Sequence, residues 1–369
     1  MNKSNINDVA QYAGVSKSTV SNYLNHKFES MSAETKIKIE EAIEKLNYTP
    51  SLSARRLSAK ENCKAIGIII PHNIGYAFEN LYFPIVLRAI GRIAEKMNNK
   101  IIIFSSDGRG IEKSLDYLKG MVPTVVDGFI LFDLEQNNFY FKEFERVNIP
   151  YVCVGKIDKY EDYYYVASNH KKAVMDSVNY LIQLGHTKIG FIMENSTSIV
   201  SQCQFKGYRE VLEENNISLS KEYYCYIDEY GHNGINDAYQ KFRRMLQSKD
   251  RPTAIITPMV YLTPLFTILN EGGLKIPEDI SIIVLEHNDN HQLAHLNFTR
   301  VPSAAEKVAE LAFRKLIKEI SNKKESFKSK IIDLELVIGD TTSSISINES
   351  TNESTNESTD NNVKPKQSF

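Results

Sequence analysis

The stretch Asp8-Val-Ala-Gln-Tyr-Ala-Gly-Val-Ser-Lys-Ser-Thr-Val-Ser-Asn-Tyr-Leu-Asn25 opens the chain with a pattern that belongs to short helices rather than strands. Val9, Ala10 and Ala13 fall at helical spacing, Gly14 breaks the pattern, Ser16 is a residue that caps a new helix, and Val20 and Leu24 give that helix one apolar side. This is a helix, a tight turn and a second helix. A third is expected from Ser32, because Ile39, Ala42, Ile43 and Leu46 follow the i, i+3, i+4, i+7 rule and Pro50 stands just beyond. Three such helices share one small core, which on surface-to-volume grounds is marginally stable.

The second helix carries Lys17, Ser18, Ser21, Asn22 and Asn25 on its other side, all hydrogen-bonding side chains. Polarity alone fits a solvated surface. It equally fits a face that enters a DNA major groove, where Lys donates to guanine O6 and N7 and Asn makes the paired contact to adenine. Ser16, Thr19 and Ser21 would then be placed for phosphate oxygens, beside the partial positive charge of the helix start.

Beyond about residue 64 the texture changes. Short apolar runs alternate with amphipathic stretches: AIGIIIP (65–71), KIIIF (100–104), GFILF (128–132), PYVCVG (150–155), TKIGFIM (187–193), YYCYI (223–227), TAIIT (253–257) and ISIIVLE (280–286). Helices are expected between them, including 83–98 and 170–184. This is the signature of βαβ units, and eight or more strands over some 275 residues point to two doubly wound parallel-sheet lobes with a ligand cleft at the carboxyl ends of the strands. The fold class is therefore α/β with an all-α front module. Residues 344–369 contain NEST three times in succession and offer nothing to bury, which reads as a solvated tail.

Composition bounds the function. The 369 residues are 42% hydrophobic and 24% charged, with a net charge of −2, but residues 1–64 hold 10 Lys and Arg against 7 Asp and Glu while the rest hold 34 against 39. The front is net positive and the body net negative. No apolar run reaches the roughly 18 residues of a membrane span, and the start lacks a secretory h-region, so a cytoplasmic location is expected. Cys63, Cys153, Cys203 and Cys225 show neither CxxC pairing nor histidines at zinc-ligand spacing, so reduced, buried thiols are expected and neither metal nor cofactor. No GxSxG, P-loop, HExxH or strand-borne GxGxxG is present, which argues against an enzyme. A sugar-binding protein of a transport system would share the two lobes, but would need a secretory signal and have no use for the front module.

The string from Asp8 to Asn25, followed by S-x-E-T (32–35), KIEEAIEKLNYTPS (38–51) and ARRL (54–57), closely resembles the lactose and galactose repressor (LacI/GalR) family of bacterial transcription regulators. IGIIIP (66–71), VDGFILF (126–132), LGHTKIGFI (184–192), GYREVLEE (207–214), GLKIPEDISII (273–283) and LELVIGDTT (334–342) recur in the family's order. The resemblance implies a DNA-binding headpiece (1–50), a hinge helix and linker (51–63), and a periplasmic-binding-protein-like effector and dimerisation body (64–343). It implies that Lys17, Ser18 and Asn22 read base edges, and that a hinge helix with Ser53, Ala54, Arg55 and Arg56 drives Leu57 into a central base step from the minor groove. A homodimer on a pseudo-palindromic double-stranded operator follows, with its contact formed by helices such as 83–98 and the one beginning near Ser201.

For the cleft, the resemblance implies a wall from His72, Asn73, Asn80, Tyr82 and Phe83, facing Gln204 and Glu286. Tyr82 and Phe83 fit a core role as well as a stacking one. Three departures alter that wall. Gln204 stands where relatives commonly carry arginine, Pro258-Met259 where they carry Asn-Asp, and Val284-Leu285-Glu286-His287 where they carry a glycine-aromatic-acid-acid turn. Losing a guanidinium fork changes what a cleft recognises. The effector is then a sugar, a nucleoside or another small molecule, with control by a partner protein or no ligand control as the alternatives.

Overall fold

The computed structural model describes residues 5–24, 28, 31–46, 48, 64–70, 82–105, 125–132, 144–146, 148–156, 163–194, 198–228, 231–287, 297–321 and 329–345. The first helix, α1 (Ile6–Ala13), starts on a capping box: the Asn5 side chain accepts from the Asn7 and Asp8 amides while the Asp8 carboxylate accepts from the Asn5 amide at 2.7 Å. It ends at Gly14, whose φ of 65° lies in the left-handed region and lets its N–H turn back onto the Ala10 and Gln11 carbonyls. Helix α2 (Lys17–Leu24) is capped by Ser16, whose hydroxyl accepts from the Thr19 amide at 3.1 Å. Helix α3 (Ala33–Lys45) is capped by Ser32 in the same way. The three meet over Val9, Ala10, Ala13, Val20, Ile39, Ala42 and Tyr48, and Tyr23 Oη ties α2 to α3 by donating to Glu40 at 2.5 Å.

The body begins with β1 (Ala65–Ile70), buried along its whole length, as a central strand of a parallel sheet covered on both faces must be. There follow α4 (Tyr82–Lys96), β2 (Lys100–Ser105), β3 (Gly128–Leu131), β4 (Tyr151–Val154), β5 (Tyr165–Ser168), α5 (His170–Gln183), β6 (Ile189–Glu194), α6 (Ile199–Glu214), β7 (Tyr224–Ile227), α7 (Gly231–Gln247), β8 (Ala254–Pro258), α8 (Leu262–Glu271), β9 (Ser281–His287), β10 (Thr299–Pro302), α9 (Ala305–Ile320) and β11 (Lys330–Ile332). All strand pairs are parallel and form two sheets, ordered β11-β5-β4-β3-β1-β2 and β10-β9-β8-β6-β7. Each contains the same winding, with its first strand second from one edge and the order reversing beside it.

Helices α4 and α9 cover one face of the first sheet, packing Val86, Ile90, Ala309, Phe313 and Leu316 over Ile66, Ile68 and Ile130. In the second sheet α5 and α6 pack on Phe191 and Ile256, and α7 and α8 on Ile192, Ile255 and Ile282. The chain crosses between lobes at 168–170, 302–305 and after Ile332. The first and third crossings are joined, since the Asn169 amide donates to the Ile332 carbonyl at 2.8 Å and its side chain to Asp333 Oδ1 at 2.8 Å. After the third crossing a strap, residues 339–345, is stitched along the base of the second sheet. Ile282 N–H donates to the Thr341 carbonyl, Ser343 N–H to Ser281 Oγ, and Ile345 N–H to the Leu184 carbonyl.

Eight expected strands appear at their expected places. Strands β5, β10 and β11 were not expected: YVAS and TRVP mix polar with apolar residues, and KII is three residues with only its last one buried, so no continuous apolar run marks them. Cys153 is buried as expected, whereas Cys203 and Cys225 are only partly so; all three are free thiols. Among the described residues no group of His, Cys, Asp and Glu could hold a metal, and no helix is long and apolar enough to cross a membrane.

Candidate DNA-reading face and ligand cleft

Helix α2 presents Lys17, Ser18 and Asn22 to solvent, with Ser21 and Thr19 half-buried beside them. At 100° per residue, Lys17, Ser18, Ser21 and Asn22 span an arc of about 140°, while Val20 points the other way into the core, fully buried. The Ser16 hydroxyl is engaged with Ser18 Oγ at 2.7 Å and Thr19 Oγ1 at 2.8 Å in addition to its cap, so the start of α2 is a hydroxyl cluster around unpaired helix N–H groups. Anchored by its cap at one end and by Tyr23 at the other, the helix is a rigid carrier for its exposed face. Burial, the bond to Glu40 and that residue's charge push the Tyr23 hydroxyl up to about 12, so the tie holds across the physiological range. Asn25 and the hinge positions Ser53, Ala54, Arg55, Arg56 and Leu57 lie outside the described residues.

The cleft is fixed by topology. Ser168 ends β5 at the carboxyl edge of the first sheet, and two residues later His170 starts α5 at the carboxyl edge of the second, so the two edges meet at the crossing. Ile199, at the start of α6, packs against the outer core of the first lobe. Ser201 Oγ donates to the Glu194 carbonyl at the end of β6, pinning the first turn of α6 to the same edge. Three residues on, Gln204 is turned inward and is 5% exposed. One turn further, Gly207 passes so close to α5 that a Cβ would lie 2.6 Å from the Lys171 carbonyl. Gln204 is thus held between the end of β6 and the first turn of α5. Its amide has no hydrogen-bond partner among the described residues.

Glu286 stands at the end of β9 with a φ of 57°, a left-handed conformation that a non-glycine residue holds at a cost of order 1 kcal/mol. Its Oε1 lies 3.7 Å from His170 Nδ1. Burial depresses the His170 pKa and the Glu286 charge only partly offsets this, so near neutral pH the imidazole is uncharged and the carboxylate faces a neutral ring. His170 was not among the expected site residues, since the strand whose end sets it at this edge, β5, was not expected either. Pro258 and Met259, where an Asn-Asp pair was the common pattern, are buried. On the first lobe Phe83 is a core residue, wedged edge-on against Phe132 at 5.6 Å, and Tyr82 packs on the same cluster. His72, Asn73 and Asn80 lie outside the described residues.

Residues 5–51 match the model of bacterial regulatory proteins of the lacI family, and residues 178–342 that of a periplasmic binding protein-like domain. The chain is 27% identical over 346 residues to the HTH-type transcriptional repressor PurR of Vibrio vulnificus, covering 92% of this chain and 99% of that one. It is 27% identical over 332 residues to catabolite control protein A of Priestia megaterium, covering 89% and 96%. Among solved structures, the lac repressor dimer bound to operator and the anti-inducer ONPF superimposes with a TM-score of 0.69 at 20% identity, over 93% of this chain and 100% of that one.

Proposed function

Because the chain belongs to the LacI family of bacterial transcription regulators, we propose that it represses genes by gripping a pseudo-palindromic operator as a homodimer, with an affinity set by a small molecule in the interlobe cleft. The observation that carries this reading is the exposed Lys17, Ser18 and Asn22 face of α2, held rigid on a packed three-helix unit. Base edges are read by that face, phosphates by the hydroxyl cluster at its start, and the central step by Leu57 from the hinge. One headpiece offers too few contacts to hold a site at physiological salt, and two related by a two-fold axis demand a palindromic site. The headpiece comprises residues 1–50, the hinge 51–63 and the body 64–343 together with residues 344 and 345, which were expected in the tail but belong to the strap through the Ile345 N–H bond to the Leu184 carbonyl; the tail is then 346–369, and the protein works in the cytoplasm.

Ligand control acts through the crossings. A molecule that binds one lobe arrangement better than the other shifts their populations, and the hinge segments attached at Lys64 move with the first lobe. The altered wall at Gln204, Pro258 and Met259 favours a ligand other than a common hexose. Selection of duplexes from a random pool by purified protein, followed by footprinting and sedimentation with the winner, tests the core of this reading. A two-fold symmetric site occupied by a dimer is expected. A protein that stays single and prefers no duplex over random competitor refutes it.

A further inference from the structure

Resting on the reading of the chain as an operator-binding dimer, we propose that the body takes part in the grip: Lys64, Lys96 and Lys100, gathered where the hinge enters the first lobe, bind operator phosphates. The entry point is fixed by the backbone. Lys64 stands immediately before β1 with a φ of 51°, in the left-handed region, and its carbonyl accepts from the Lys100 N–H at 2.6 Å. The next residue, Ala65, is held by Asp127, whose N–H donates to the Ala65 carbonyl at 2.9 Å and whose Oδ2 accepts from the Ala65 N–H at 3.3 Å. Lys100 opens β2 and pairs in register with Ala65. Lys96 ends α4, and the turn between them is closed by the Asn99 N–H on the Ala94 carbonyl at 2.8 Å. Three lysines therefore meet at one corner of the amino edge of the first sheet.

All three are exposed, and none has an ion-pair partner among the described residues, whereas Arg88 and Arg92 farther up α4 share Glu306. Glu95, beside Lys96 in the last turn of α4, is exposed and pairs with none of them, and Asp127 is buried on the Ala65 amide. The partial charge at the end of α4 offsets part of Lys96 alone. Elsewhere along this edge, the described strand starts and the last turn of α9 hold Arg146, Lys318 and Lys330 against Glu319 and Glu145, the latter bonded to Tyr151. Location decides the partner. Lys64 follows Leu57 by seven residues, which span at most about 25 Å when fully extended, so a duplex held by the hinge lies next to this corner. In the homodimer α4 is an expected contact helix, and its last turn brings the two copies of the corner together over the operator centre. Duplex DNA offers one phosphate charge per about 1.7 Å of its axis, and each lysine that neutralises one releases a counterion.

Fluorescence anisotropy of the full-length protein on the duplex won by selection, measured from about 50 to 200 mM salt, tests this. The slope of log affinity against log salt counts phosphate contacts at about 0.9 each. The Lys64→Gln/Lys96→Gln/Lys100→Gln variant is expected to have a slope shallower by about two or more and to bind about tenfold more weakly at the low-salt end, with the ranking of single-base operator variants unchanged. Lys221→Gln/Lys249→Gln/Lys275→Gln removes the same charge from exposed lysines ahead of second-lobe strands and is expected to keep the parent slope. Thermal melting and sedimentation verify folding and dimerisation. Should the first variant dissociate, Lys64→Gln/Lys100→Gln leaves α4 intact and is expected to lose about one or more of slope. A slope within about half a unit of the parent in both variants, an equal loss in the second-lobe control, or weakening confined to particular operator bases overturns the proposal. A parent that prefers no duplex refutes the regulator reading, while a preferred duplex with an unmoved slope refutes this inference alone.

Discussion

Replacing Val20 by alanine isolates the headpiece from the rest of the molecule. Val20 is fully buried and, among the described residues, packs within the headpiece cluster of Val9, Ala10, Ala13, Ile39, Ala42 and Tyr48. The change removes two methyl groups, about 1.6 kcal/mol of transfer free energy, and a residual cavity in a core this small raises the loss to about 2–3 kcal/mol. A module of some 45 residues holds about 2–7 kcal/mol in total. The variant headpiece is therefore near or below its folding midpoint at 37 °C, with a transition lowered by about 10–20 °C. Scanning calorimetry of the full-length protein should show the headpiece transition moved and the body transition in place, because the two cores share no residue. Operator affinity should fall in proportion to the unfolded fraction and recover on cooling. A headpiece transition within about 3 °C of the parent, or unchanged operator binding above the variant's midpoint, would refute the packing argument.

Asn22→Ala should weaken operator binding by about 1–3 kcal/mol and relax one base position, read by gel shift against single-base operator variants; uniform weakening across all of them would make Asn22 a phosphate contact instead. Leu57→Ala should straighten the bound duplex, seen as a smaller spread in circular-permutation mobility. His186 bonds the strap, its Nε2–H donating to the Ser343 carbonyl at 3.0 Å and its Nδ1 accepting from Thr253 at 2.9 Å, and burial holds its pKa below the ordinary histidine value. Its contribution to stability is thus present above about pH 6.5 and lost as pH falls through the lowered folded-state value. Urea melts at pH 7.5 and 5 should show the loss, and His186→Gln should flatten that dependence. Ending the chain after Ile345 should leave folding and operator affinity unchanged, whereas ending it after Gly339 should destabilise the second lobe.

The parts legible in the sequence are those where one local signal suffices. Ser16 and Ser32 announce their helices because a hydroxyl ahead of an apolar period has one common use, and the AIGIII run reads as a strand because parallel central strands are apolar on both faces. Strand β11 is different: its three residues are paired with β5 from 164 residues away, and two of them are exposed, so nothing local distinguishes Lys330–Ile332 from a loop. The cleft shows the same division. Gln204 and Glu286 could be placed from aligned motifs, but His170 looks like the opening of an ordinary amphipathic helix until the crossing at Asn169 sets it beside Glu286. Phe83 fitted stacking and core roles alike in the sequence, and the ring contact with Phe132 puts it in the core.

The return of the chain through β11 and the strap has a consequence during synthesis. The headpiece leaves the ribosome before either lobe, and among the described residues its core is closed by residues 6–48 alone, but the first lobe waits for residues 330–332 and the second for 339–345. Nascent chains therefore carry a closed headpiece core on an unfinished body until residue 345 has emerged, and a message broken near codon 300 would yield a fragment with the headpiece present and neither lobe complete.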